Sequence, residues 1–400
     1  MIAARPETQS IGSLLVFSDD WGRHPSSCQH LVRNLLDRYP VLWVNTIGTR
    51  APRLDVQTLK RVTEKLCQWG RAKLSATTEH QQSVSNADPM RTHPNLTVIN
   101  PGMWPWFSSG RARQANRWLL SRQLQSLIAQ LPQPVVGLTT LPITADLPDA
   151  LAVDRWVYYC VDDFSQWPGL DRDTLRCMDL AMIQRADSIV AVSETLQSMI
   201  AHEGRSAQLL THGVDVDFWR SGSGSSSKLM DAPRPHVVFW GVIDRRMDSA
   251  SLRQLSHDMT KGTIVLIGPQ QDPNFDVLAL PNVRTMATQP LSALPAIAKQ
   301  AEVLIMPYAD LPVTRSMQPL KLKEYLATGK PVVVNRLPST NEWSDCLDAA
   351  ETPAQFSQLV RERIKDGIPA PQVMARTRLQ QESWKSKAAA LEIVLQGGES

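Results

Sequence analysis

The chain of 400 residues is poor in the features that place a protein quickly. Its five cysteines (Cys28, Cys67, Cys160, Cys177 and Cys346) are odd in number, scattered, and form no C-x-x-C pair, so a reduced, cytoplasmic setting is expected. No run of eighteen apolar residues exists, and nothing is expected to span a bilayer. Residues 1–12 lack a basic region followed by an apolar core, so no signal peptide is expected. The net charge of +3 does not imply nucleic acid, and no nucleic-acid-binding module is recognisable. No G-x-G-x-x-G follows a strand, which disfavours a Rossmann dehydrogenase; Gly222-Ser-Gly224 lies in a polar connector. The eight histidines form no ligand-like cluster, and no metal is expected. Acidic residues are absent between Asp88 and Asp146.

What is present is a long alternation of short apolar runs and helix-like segments. The runs fall at 14–17, 41–45, 96–100, 135–138, 156–161, 189–192 and 209–211, then at 237–240, 264–267, 303–306 and 332–334. Near-continuous Val, Ile and Leu strands separated by helices predict an α/β protein with parallel sheets covered on both faces. Between Phe218 and His236 lies a Gly/Ser-rich connector ending in prolines. The boundary is placed there: a first Rossmann-like domain over 1–220, a second over 221–372, and a C-terminal segment over 373–400. Residues 374–395, with Trp384, Ala388, Leu391 and Val394, read as one amphipathic helix packing back on the first domain. Two doubly wound domains then face each other across a cleft, where a ligand is expected.

Two segments break this pattern. Residues 75–94 are polar and read as a loop, preceded by a basic amphipathic stretch at 59–74. The acid-free region that follows holds Trp104, Trp106, Phe107, Arg111, Arg113, Arg117, Trp118 and Arg122. Tryptophan with arginine and no acids is the composition of a peripheral membrane contact. An ordinary helix with solvated arginines and buried tryptophans explains it equally well.

The most informative stretch is Thr314-Arg-Ser-Met-Gln-Pro-Leu-Lys-Leu-Lys-Glu324-Tyr-Leu-Ala-Thr-Gly-Lys-Pro-Val-Val. It reads as a loop, a short helix with Lys321 and Glu324 in its first turns, a stop at Gly329, and a strand opened by Pro331. Unpaired N–H groups at a helix start favour an anion. Lys321 adds a full charge, and Glu324 can accept two hydrogen bonds from a ribose diol.

With this stretch in hand, the chain resembles GT-B glycosyltransferases of the bacterial polysaccharide type, close to family four. The resemblance also rests on Gly241-Val-Ile-Asp-Arg-Arg-Met-Asp248, Val265-Leu-Ile-Gly-Pro269, Ala301-Glu-Val-Leu-Ile-Met-Pro-Tyr308, Tyr159-Cys-Val-Asp-Asp163, Ala186-Asp-Ser-Ile-Val-Ala-Val-Ser193 and His212-Gly-Val-Asp215. It implies two Rossmann-like domains, a nucleotide-diphosphate sugar donor held by the second, and a saccharide acceptor over the first; a lipid-linked saccharide is expected from the Trp104–Arg122 region. It also implies no cofactor and no metal, with the leaving diphosphate neutralised by basic side chains and a helix end; the Trp104–Arg122 region adds the expectation of a place at the inner face of the cytoplasmic membrane. The chain departs from the family at Ser316, eight positions before Glu324, where a first glutamate is usual. Sugar contacts would then come from backbone N–H groups near Met317 and Gln318, or from elsewhere. A nucleotide-sugar epimerase and a non-catalytic scaffold are the competing readings, the latter supported by the carboxylate missing at Ser316.

The candidate donor-binding residues are therefore Gly241, Arg245, Gly268, Ser316, Met317, Gln318, Lys321 and Glu324. Arg245 and Arg246 both follow a strand, and Arg245 is preferred for forking onto the diphosphate. Asp162, at the end of a buried strand, is the candidate catalytic base; capping the next turn is its plainer role. Asp163 beside it, with Asp19, Trp21 and Gly22 at the end of the first strand, is expected to line the cleft from the first domain. His212, next to the connector, reads as a hinge residue.

Overall fold

Unbroken apolar strands must be covered on both faces, and the chain achieves this twice. The structure is a computed structural model describing residues 10–23, 26–45, 93–167, 169–222 and 231–398. The basic stretch 59–74, the polar residues 75–92 and the Gly/Ser-rich residues 223–230 lie outside these.

The first sheet is built from β1 (Ser13–Ser18), β2 (Val41–Asn45), β3 (Leu96–Ile99), β4 (Val135–Thr139), β5 (Arg155–Cys160), β6 (Ser188–Ala191) and β7 (Gln208–Leu209). Its spatial order is β3-β2-β1-β4-β5-β6-β7, and every pairing is parallel. The strand order reverses between β1 and β4, so the ends of those strands open a crevice.

The second half supplies β8 (His236–Trp240), β9 (Ile243–Asp244), β10 (Thr263–Ile267), β11 (Gln270–Gln271), β12 (Val283–Met286), β13 (Val303–Met306), β14 (Val332–Asn335) and β15 (Asp348–Ala350). Six of these form a parallel sheet in the order β12-β10-β8-β13-β14-β15, while β9 pairs with β11 separately. Register pairs Val237 with Ile264 on one side of β8, and Val238 with Leu304 on the other. The reversal here lies between β8 and β13, and both strands are buried along their full length.

Helix starts follow side-chain chemistry. Ser193 caps Glu194–His202, Asp248 caps Ser249–Asp258, and Thr352 caps Pro353–Asp366, each accepting from a first-turn N–H.

Two apolar cores result. One gathers side chains from Leu14 to Leu210 and the other from Val214 to Leu379. Helix Val216–Ser221 already packs into the second core through Val216 and Trp219, ahead of the Gly/Ser-rich connector. Ala388, Leu391, Val394 and Leu395 return to fill the first core. The single helix expected over 374–395 is interrupted. Helix Ala370–Ala375 gives way to a 3-10 turn over Arg376–Gln381, and a new helix, Trp384–Leu395, starts at a Ser383 cap. The break has a cause: Val214 pairs with Ser383, and Val214 N–H donates to Glu382 O at 2.8 Å, so the two interdomain crossovers run side by side.

In the acid-free region the tryptophans are not core residues. Trp104, Trp106 and Trp118 are 49%, 42% and 58% exposed, whereas Phe107 is buried. Among the described residues no helix is long and apolar enough to cross a membrane.

Candidate active site

The end of β8 meets the end of β13 through backbone pairing. Asp248 N–H donates to Pro307 O at 2.7 Å and Ala309 N–H to Arg246 O at 2.8 Å. This ties the loop after β8 to Tyr308, the second residue after β13. Helix Leu320–Ala327 starts beside them. Leu322 N–H bonds back to Pro319 O at 3.2 Å, and the first-turn N–H groups ahead of it have no intrahelical acceptor.

Lys321 and Glu324, three apart on this helix, share one face. The Lys321 ammonium donates to Tyr308 Oη and sits 4.5 Å from the Phe239 ring centroid and 4.8 Å from that of Tyr308. It also lies against the β8 terminus: a Cβ at Gly241 would come 2.1 Å from Nζ. Gly241 has φ +142°, and behind it a Cβ at Gly268 would meet Gly241 O at 2.0 Å. Both positions demand glycine, because backbone and ammonium occupy the space a side chain would take.

Glu324 accepts a hydrogen bond from Trp240 Nε1 at 3.3 Å. Burial pushes its carboxyl up to about 7, against the pull of Trp240 and Lys321. Trp240 is itself fixed, stacked on Trp219 at 5.5 Å and edge-on to Tyr325 at 4.3 Å.

The arginine expected on the diphosphate is not the one the fold turns inward. Arg245 faces solvent, 71% exposed, and pairs with Asp272 at 2.6 Å. Arg246 is 5% exposed, clamped by Asp244 at 2.9 and 3.0 Å, with its guanidinium 4.6 Å from the Trp167 ring of the first domain. Arg245 and Arg246 occupy a tight turn closed by Met247 N–H on Asp244 O at 3.2 Å, and the Asp244 carboxylate holds Arg246 inward while Arg245 reaches out to Asp272.

Asp162 follows β5 on the facing domain. Burial pushes its carboxyl up to about 7, Arg246 across the cleft pulls it down, and Asp163 adds to the push. Trp167 lies beside it, and its buried indole N–H also favours the ionised carboxylate. Asp163 turns elsewhere, accepting from Ser165 N at 3.1 Å and Ser165 Oγ at 2.5 Å to cap the next turn.

Three further expectations are corrected. The Ser316 hydroxyl is turned inward onto Pro312 O (3.3 Å) and Val313 O (3.2 Å), while its carbonyl accepts from Ser193 Oγ at 2.8 Å. Met317 N–H is spent on Val313 O at 3.3 Å, because residues Pro312–Ser316 form a helical turn instead of an open loop, and its side chain is in the second core. Trp21 is a core residue, edge-on to Trp43 at 4.6 Å beneath Arg33, and does not line the cleft.

Gln318 is buried, with its backbone turned toward His212. Asp19 accepts from Ser18, Ser26 and Gln29, each at 2.9 Å, and Gly22 N–H donates to Gln29 Oε1 at 3.0 Å, so these residues brace the loop after β1. Sequence reasoning missed Tyr308, Trp240 and Trp167. The signal available was position, since the first two sit at strand ends beside the reversal.

The cluster thus brings together Gly241, Arg246, Tyr308, Lys321 and Glu324 from one domain, with Asp162 and Trp167 opposite. Among the described residues no three His, Cys, Asp or Glu side chains gather as a metal would require.

No protein-family profile matches the chain. Over 181 residues it is 29% identical to a putative teichuronic acid biosynthesis glycosyltransferase, TuaH, of Bacillus subtilis (strain 168), a match covering 43% of this chain and 46% of that protein. The match therefore spans less than half of that relative's length. Solved structures match over nearly the whole chain. Sucrose-phosphate synthase from Thermosynechococcus elongatus superposes with TM-score 0.67 at 12% identity, covering 96% of this chain and 98% of that one. The α,α-trehalose 6-phosphate synthase from Burkholderia multivorans gives 0.63 at 13%, covering 97% of each. Anabaena Alr3699/HepE in complex with UDP gives 0.58 at 12%, covering 96% and 95%. The fold is GT-B, two parallel-sheet α/β domains arranged as in these transferases.

Proposed function

We propose that the protein is a glycosyltransferase of cell-surface polysaccharide biosynthesis. It takes a hexosyl or related sugar from a nucleotide-diphosphate donor on the second domain and passes it to a saccharide or lipid-linked saccharide over the first. One observation carries this reading: Lys321, Arg246 and the start of helix Leu320–Ala327 converge with Glu324 at the β8/β13 reversal. Cations and helix N–H groups suit a diphosphate, and a carboxylate one turn on suits a ribose diol. The activity named for TuaH and the UDP in the HepE complex point the same way.

In this reading the acceptor oxygen bonds to the anomeric carbon as the bond from that carbon to the diphosphate oxygen breaks. Lys321, Arg246 and the helix end meet the charge that develops on the leaving group, with no metal needed. Asp162 takes the acceptor proton, and a carboxyl near pH 7 is suited to that task. Closure of the cleft, with Trp167 over Arg246, keeps water from the donor.

The lipid-linked acceptor is motivated by Trp104, Trp106 and Trp118, exposed beside Arg111 and Arg122 in an acid-free stretch of the chain; Arg122 lies 5.5 Å from the Trp118 ring. Such a surface fits the anionic face of the inner membrane. A non-catalytic scaffold is the second reading, favoured by the Ser316 hydroxyl being turned away from the cleft. A panel of UDP-, GDP- and ADP-sugars separates the two. A transferase releases nucleotide from at least one donor and binds it by titration calorimetry, whereas a scaffold binds none.

A further inference from the structure

Helix Leu320–Ala327 carries a third charged residue, on the side away from the cleft. Lys323 is 1% exposed, and a buried ammonium persists only where its donors are all met. It has three, and all are taken. Nζ donates to His212 O at 2.7 Å, to Thr211 Oγ1 at 3.1 Å, and to Glu382 Oε2. Thr211 and His212 lie on the first interdomain crossover, between Leu210 of one core and Val214 of the other. Glu382 lies on the second, between Leu379 and Ala388.

The network continues into the first domain. Lys387, on the returning helix Trp384–Leu395, donates to Thr211 Oγ1 at 3.1 Å and pairs with Glu382 at 2.8 Å. Trp384 of the same helix stacks on His30 of helix Ser27–Arg33 at 4.5 Å. The helix with Lys321 and Glu324 on one side therefore grips both crossovers with Lys323 on the other. Rotating the crossovers against this helix would strip partners from a charge held in a low dielectric, so the contact is either made or broken.

Resting on the nucleotide-sugar reading above, we propose that Lys323 is a positioning residue that couples occupancy of the donor site to the interdomain hinge. Donor binding orders the cleft face of the helix, and the ammonium transmits that ordering to both crossovers. A buried charge fits this use, because an aliphatic side chain would fill the space without specifying which segments it must face.

The test is hydrogen exchange with and without saturating UDP (GDP or ADP if UDP does not bind), on the full chain. The parent is compared with Lys323→Met, in which Glu382 keeps Lys387 as its partner, and with the triple variant Lys323→Met/Glu382→Leu/Lys387→Met, which leaves no unpaired charge at the contact if the single variant fails to fold. In the parent, nucleotide should slow exchange at 239–241 and 318–324 and also at 210–214 and 380–386. In the variants the first pair of segments should remain protected and the second should not. Turnover should fall about tenfold with donor KM within about threefold of the parent, and Lys323→Arg should recover part of it. A purely structural role would lower folded content without abolishing ligand-dependent protection of the crossovers. Crossovers protected equally in parent and variant, or unprotected in the parent while 318–324 is protected, would overturn the coupling alone. No protection at 318–324 by any nucleotide would remove the donor-site reading, and the coupling with it.

Discussion

Replacing Glu324 with glutamine should make the protein more stable at alkaline pH and worse at binding its nucleotide. The carboxyl is held near 7 instead of its ordinary 4.5 because burial disfavours the charge. At about 1.4 kcal/mol for each tenfold change, carrying that charge costs about 3 kcal/mol, reduced to about 2 where cleft water screens it. The sign follows from proton counting. Between pH 4.5 and 7 the unfolded chain holds fewer protons at this site than the folded one, so rising pH favours unfolding. Below 4.5 the two states are equally protonated, and above 7 the penalty is constant.

Glutamine is neutral throughout and keeps an oxygen for Trp240 Nε1. Glu324→Gln should therefore match the parent in urea midpoint at pH 4.5 and exceed it at pH 8.5 by the equivalent of about 2 kcal/mol. Ribose hydroxyls should lose a charged acceptor, weakening nucleotide binding about tenfold or more in calorimetry. A variant less stable than the parent at pH 8.5, or one binding nucleotide equally well, refutes the placement of a desolvated carboxylate facing the ligand.

Further outcomes are expected. Arg246→Ala should lower kcat/KM by about 100-fold through loss of a buried cation on the leaving group, while Arg245→Ala, on a solvated pair, should change it less than about twofold. Equal effects would undo the distinction drawn from their burial. Asp162→Asn should abolish most turnover with donor affinity retained, and in the parent kcat/KM should fall as pH drops below about 7, where Asp162 and Glu324 both take up protons. A pH profile flat from 5 to 8 contradicts both assignments. Trp104→Ala/Trp118→Ala should reduce co-sedimentation with anionic vesicles at low salt by about tenfold without altering hydrolysis of the donor. Parent protein that ignores such vesicles ends the membrane reading.

How much was legible depended on whether the deciding contact was local. The strands of both sheet centres announce themselves because burial on two faces allows only apolar residues, as in β1 and β8. β12 and β15 escaped notice: at the edges of the second sheet, Val-Arg-Thr-Met and Asp-Ala-Ala need not be apolar throughout. Helix Leu320–Ala327 was legible from its amphipathic pattern with the stop at Gly329 and the strand opened by Pro331. Which of Arg245 and Arg246 turns inward was not, since composition cannot tell neighbours apart; Asp244 and Trp167, brought in by folding, decide it. Trp21 read as a cleft residue from its place after β1, yet Trp43 on the neighbouring strand captures it. The interruption at Glu382 was invisible for the same reason: its cause, Val214, is far away in sequence.

The return of helix Trp384–Leu395 into the first core sets the order in which the molecule can be finished. Ala388, Leu391, Val394 and Leu395 plug a slot whose other walls, among them helix Ser27–Arg33 and β6, come from the first half of the chain, so that slot stays open while the ribosome makes everything between. A nascent chain carrying an open apolar groove through the second half of its synthesis is exposed to aggregation and to capture by chaperones. Trimming the last turns of that helix should accordingly harm the half of the molecule made first, leaving the half made later largely intact.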